Sequence, residues 1–122
     1  KATNAEATIN ALSKYKNILW IAGGIAKTEG ITPTLQHLKN VKKCYLIGNS
    51  KQEFFDTLNS KISCDILNNL ESALKQIYKD TLNNENEITV LFSPGAASFD
   101  QFLNFENRGD TFKSLVSKIW EL

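Results

Sequence analysis

Two stretches of the chain carry side chains and backbone suited to binding chemistry. In the first, an apolar run of strand type (Ile88 to Phe92) breaks at Ser93-Pro94-Gly95. Two alanines follow, and Ser98 opens a helix. Proline cannot continue a ladder and glycine tolerates positive φ, so the turn is tightly specified. Ser98 with Gln101 three residues later is a capping-box pattern. The first N–H groups of such a helix lack intrahelical partners and attract anions, so this stretch offers a site for a small anion. The second stretch is Gly23-Gly24-Ile25-Ala26-Lys27, a cation just beyond a strand. It lacks the spacing of a phosphate loop and of the dinucleotide fingerprint. On its residues alone it reads as a tight strand exit with a solvated lysine.

The remaining polar residues say less. Asp100 suits the dipole of the helix start but would repel a carboxylate, so it is expected to point away and is given no catalytic role. Arg108 lies one helical turn from Asn104; structural hydrogen bonding at a break around Gly109 is favoured over anion binding. His37 has no acidic or nucleophilic partner nearby in sequence and is assigned no function. Thr3 or Asn4 is a plausible N-cap. Neither a Cys-x-x-Cys pair nor a histidine cluster is present, which leaves metal binding without support.

The elements that must position these residues alternate. Ala5, Ile9, Leu12 and Tyr15 have helical spacing within residues 2–16. Asn17 to Ala22 is a continuous apolar run, as in a strand buried on both faces. Pro33 opens a short helix through Leu38. Lys43 to Gly48 reads as a second strand and Asn49 or Ser50 to Leu58 as a helix. Ile62 to Leu67 is a weaker strand, and Leu70, Ala73, Leu74, Ile77 and Tyr78 mark a helix up to Leu82. After Ile88 to Phe92, a helix is expected from Phe99 to Trp120. Short connections between alternating elements predict an α/β layer structure with a mostly parallel sheet. Ligands of such sheets gather beyond the carboxyl ends of the strands, where both stretches fall.

The chain has 122 residues, 42% of them hydrophobic, and a net charge of +1. That length makes one domain, residues 1–122. Without a basic stripe, nucleic acid is not expected as a partner. No run approaches the ~20 apolar residues of a membrane span, and no signal-peptide pattern opens the chain, so no membrane partner and a cytoplasmic location are expected. Cys44 and Cys64 lie in apolar strand segments and read as buried, reduced thiols.

The pattern Ser93-Pro94-x-x-x-Ser98-x-Asp100-Gln101-Phe102-x-x-Phe105-x-x-Arg108-Gly109-x-x-Phe112 resembles the signature of the D-glutamate-adding Mur ligases, in their third, C-terminal domain. The Gly-Gly-x-x-Lys loop and the opening Lys1-Ala2-Thr3-Asn4 match the family at corresponding points. The resemblance implies a three-layer Rossmann-like domain. It also implies a role in an ATP-dependent ligase of peptidoglycan biosynthesis, and so in cell-wall growth, cell division and cell shape. That ligase joins D-glutamate to UDP-N-acetylmuramoyl-L-alanine through an acyl phosphate. Carried over residue by residue, it assigns Lys27, Thr3, Ser98, Phe99 and Phe105 to D-glutamate, and Lys1 to the nucleotide and substrate phosphates.

Phe99 stands where relatives often have a smaller aliphatic residue, which would reduce pocket volume. No catalytic group and no metal ligand are assigned to this domain. ATP and Mg2+, like the UDP substrate, would be held mainly by N-terminal and central domains absent from this sequence. The sequence is therefore expected to be an excised, monomeric domain that orients D-glutamate and closes over ATP, inactive alone. Competing readings are another Mur ligase, a folylpolyglutamate synthetase, or a stand-alone anion-binding α/β module. The diaminopimelate- or lysine-adding ligases typically carry an Asp-Asn-Pro-Arg motif, not found here, and the Asp-Gln-Phe run argues against the synthetase.

Overall fold

The computed structural model describes residues 5–23, 32–82, 88–95 and 105–120. Helix α1 (Ala5–Lys14) leads to strand β1 (Ile18–Gly23), and a 3₁₀ helix (Thr32–His37) leads to β2 (Val41–Ile47). Then come α2 (Lys51–Leu58), β3 (Ser63–Ile66), α3 (Leu70–Thr81), β4 (Thr89–Gly95) and α4 (Phe105–Trp120). The four strands form one sheet in the order β3-β2-β1-β4, and every pairing is parallel.

Period-two alternation divides the strand side chains between two helical layers. Ile18, Trp20 and Ala22 of β1, with Cys44 and Leu46 of β2, pack against Leu12 of α1 and against Phe54 and Leu58 of α2. Leu19, Ile21, Tyr45 and Ile47 face the other way, onto Leu70, Leu74 and Ile77 of α3 and Leu115, Val116 and Ile119 of α4. The central strand β1 is therefore apolar throughout, and Trp20 is wholly buried. This is the expected α/β/α sandwich, with a sheet that is wholly parallel among the described residues.

Two irregularities explain what the pattern alone misses. Ile18 pairs with Val41 but Leu19 with Lys43, so Lys42 is an extra residue that switches the parity of β2. That shift turns Val41 to the same face as Cys44 and Leu46. In β4, Ile21 pairs with Phe92 and Gly23 with Gly95, leaving one residue too many across Ser93-Pro94. The strand was expected to end there. It runs on to Gly95 because a bulge, on a strand that is at the edge of the sheet among the described residues, accommodates a residue with no N–H to donate.

Local chemistry sets the boundaries. Asn17 adopts φ 53°, a left-handed conformation asparagine tolerates, and its carbonyl accepts from the Thr89 N–H at 3.2 Å. Asn69 caps α3, its side chain accepting from the Ser72 N–H at 2.9 Å. Ser50 holds the N-cap position of α2 without a side-chain cap bond. The backbone of α4 continues through Arg108 and Gly109, where a break had been expected. The expected caps of α1, Thr3 and Asn4, lie outside the described residues, as does the Ser98–Gln101 capping box.

Candidate functional site

Successive strands step to one side of β1 as far as β3, and the chain then crosses back to place β4 on the other side. The direction of winding reverses between β1 and β4. In open parallel sheets that reversal leaves a crevice beyond the carboxyl ends of the two strands, where ligands bind. Gly23 and Gly95, the last residues of these strands, are register partners. The stretch that contains Lys27 and the stretch that contains Ser98 thus leave the sheet from neighbouring points.

Gly23 is also pressed against β2. It has φ +150°, and a Cβ built on it would lie 1.7 Å from the Ile47 carbonyl oxygen. Only glycine fits, so the Gly-Gly exit read from the sequence has a steric cause at its first position.

Lys1, Thr3, Lys27, Ser98 and Phe99 lie outside the described residues. Phe105 is the first residue of α4. What is described is the frame: two adjacent parallel strand ends at the winding reversal.

Other polar groupings lie at the opposite edge. A cleft of about 320 Å³ lined by Leu12, Ser13, Gln36, His37, Lys39 and Asn40 sits where the chain enters β1 and β2. It is remote from the strand carboxyl ends. A polar cluster near the starts of β2 and β3 was not foreseen. Lys43 Nζ lies 2.8 Å from Asp65 and 3.0 Å from Asp80, and the Tyr45 hydroxyl donates to Asp80 at 2.7 Å. Gln76 donates to the other Asp80 oxygen at 3.0 Å.

Partial burial opposes charge on Asp80, but bonds from Tyr45, Lys43 and Gln76 outweigh it and hold its carboxyl below the usual range. Burial likewise works against the Lys43 ammonium, yet its bonds to Asp65 and Asp80 raise its pKa. Burial and the neighbouring Asp80 push the Tyr45 phenol well up, so it stays a donor. With all partners paired, the cluster ties β2 and β3 to α3. No spacing within a single element signals it.

No family model matches the chain. Curated relatives do. The chain is 43% identical over 112 residues, 92% of its length, to the UDP-N-acetylmuramoylalanine--D-glutamate ligase of Wolbachia pipientis wMel. It is 44% identical over 117 residues, 96% of its length, to the ligase of that name from Caulobacter vibrioides. The Nitrobacter hamburgensis ligase is 44% identical over 95% of the chain. The chain belongs to the Mur ligase family.

The matches cover 22% of the Wolbachia ligase and 25% of the Caulobacter one, so the chain spans about a quarter of the relatives' length. They fall in the C-terminal portion of these ligases. This Mur ligase domain has no group of three or more His, Cys, Asp and Glu side chains fit to hold a metal ion among its described residues. Nor is any described helix long and apolar enough to cross a membrane.

Proposed function

We propose that this domain binds and orients D-glutamate in an ATP-dependent ligase that joins it to UDP-N-acetylmuramoyl-L-alanine in peptidoglycan biosynthesis. The observation that carries the reading is the Gly23–Gly95 pairing at the winding reversal. The similarity to D-glutamate ligases over 92–96% of the chain supports the choice of amino acid.

In this reading Lys27 neutralises one carboxylate of D-glutamate. Ser98, with Phe99 and Phe105 flanking it, holds the other end, and the Thr3 hydroxyl reaches the amino acid from the start of the domain. Lys1 faces the nucleotide and substrate phosphates. The reaction has two steps. A substrate carboxylate oxygen takes the γ-phosphoryl group of ATP, releasing ADP. The D-glutamate amine then attacks the acyl carbon, forming the amide as the C–O bond to phosphate breaks.

The contribution of this domain is positional, fixing both carboxylates so that the amine meets the acyl carbon. Such orientation supplies up to several kcal/mol of a barrier. Closure over ATP keeps water from the acyl phosphate. The rest of the machinery, with ATP and Mg2+, belongs to other parts of a longer, cytoplasmic and monomeric enzyme.

The test is steady-state kinetics of the full-length enzyme with Lys27→Ala and Ser98→Ala at saturating ATP. The expected result is a raised KM for D-glutamate and an unchanged KM for the UDP substrate. A raised KM for the UDP substrate alone would remove both residues from the amino-acid site.

A further inference from the structure

Cys44 and Cys64 are register partners on the neighbouring parallel strands β2 and β3. Neighbouring strands run about 4.8 Å apart, inside the ~4.4–6.8 Å span between Cα atoms that a disulfide bridges. Both side chains turn to the same face, Cys44 within the core against α2 and Cys64 packed at its margin. Both are free thiols, and the Cys64 thiol donates to the Ile62 carbonyl at 3.6 Å. Their environments differ. Cys44 is fully buried, whereas Cys64 is half-buried on β3, a strand of four residues at the edge of the sheet among the described residues.

We propose that Cys44 and Cys64 are a redox modification site, at which a peroxide oxidant converts the two thiols into a reversible disulfide across β2 and β3. Cys64 meets the oxidant, because it alone of the pair is open to solvent. The neighbouring Cys44 lowers its pKa, while burial and Cys64 in turn push the Cys44 thiol well up. The reacting thiolate is therefore the exposed one.

The chemistry balances in two steps. The Cys64 thiolate attacks one peroxide oxygen; the S–O bond forms, the O–O bond breaks and hydroxide leaves. The sulfenic acid then faces Cys44. The Cys44 sulfur attacks the Cys64 sulfur as its proton passes to the departing hydroxide. The S–S bond forms, and water carries off the oxygen. Two thiols lose two electrons and two protons, and one hydrogen peroxide becomes two waters. An external thiol reverses the change by exchange. The site adjoins neither Gly23 nor Gly95 and does not depend on the proposed ligase function.

Peptide mapping of the full-length protein tests this. The native protein is treated with hydrogen peroxide, blocked with iodoacetamide and cut with trypsin. Cleavage after Lys43, Lys51, Lys61 and Lys75 isolates peptides 44–51 and 62–75. The expected product is those two peptides joined, two hydrogens lighter than their sum and separated by dithiothreitol. In Cys44→Ala, peptide 62–75 should instead accumulate a sulfenic acid that dimedone captures. Recovery of both wild-type peptides alkylated would overturn the proposal. So would peptide 62–75 as a sulfinic acid beside alkylated 44–51, or two copies of 62–75 joined to each other.

Discussion

Gly23 and Gly95 pair across the two strands where the winding of the sheet reverses, and Gly23 does so at φ +150° against the Ile47 carbonyl. Three strand ends thereby converge on a position that admits no side chain. Gly23→Ala puts a methyl 1.7 Å from the backbone oxygen of Ile47, which cannot yield without moving β2. A stability loss of about 2 kcal/mol or more is expected from overpacking combined with the positive φ. Urea unfolding of the variant measures it. A loss within experimental error would mean that β1 and β2 separate freely at this edge.

Tyr45→Phe removes the donor to Asp80 and keeps the buried ring. Hydrogen bonds to charged groups contribute about 1.5–3 kcal/mol, and partial exposure of Asp80 places this one near the lower end. Lys43→Met takes a second partner from the same carboxylate. Because the two substitutions share Asp80, their effects should not add. A double-mutant cycle by denaturant unfolding should give a coupling energy above about 0.5 kcal/mol. Strict additivity would show that Tyr45 and Lys43 act independently.

Much of this architecture was legible because burial and period agree. The apolar run through Ile18 to Ala22 read as a strand buried on both faces, and the stripe Leu70, Ala73, Leu74, Ile77 as one face of an amphipathic helix; both are so. The continuation of β4 past Pro94 was not legible, since a proline reads as a break unless one knows that the strand is, among the described residues, an edge with a spare residue. Nor was the Asp65–Lys43–Asp80–Tyr45 cluster. Its members are brought together only when β3 and α3 pack on β2, and no spacing within one element encodes that. For the site, the two glycine-bearing strand exits were readable and now have neighbouring positions. The assignments of Lys27, Ser98, Thr3, Phe99, Phe105 and Lys1 rest on motif resemblance.

The 122-residue chain alone should neither hydrolyse ATP nor form the amide, because its sequence has no phosphate loop. A coupled assay for ADP with purified domain, ATP, D-glutamate and the UDP substrate checks this. Turnover above a no-protein blank would place bond-making chemistry in this domain.

The pH dependence of the Lys43–Asp80 contact follows from two opposed shifts. The Asp80 carboxyl ionises below its ordinary value in the folded chain, because bonds from Tyr45, Lys43 and Gln76 outweigh the cost of burial. The unfolded chain therefore binds the proton more readily, and the Asp80 contribution is complete above the unfolded pKa, about 4. It is lost as pH falls through the lower folded value. Lys43 is shifted the other way: burial opposes its charge, but the bonds to Asp65 and Asp80 raise its pKa. Its contribution is complete below about pH 10.4 and is lost as pH rises through the folded value. The stability gap between the wild type and Lys43→Met should hence be flat from about pH 6 to 9 and narrow at both extremes. Urea midpoints across that range test it. A gap that widened in acid would mean that Asp80 gains, rather than loses, its hold on Lys43 when protonated, which the geometry forbids: a neutral carboxyl attracts the ammonium less.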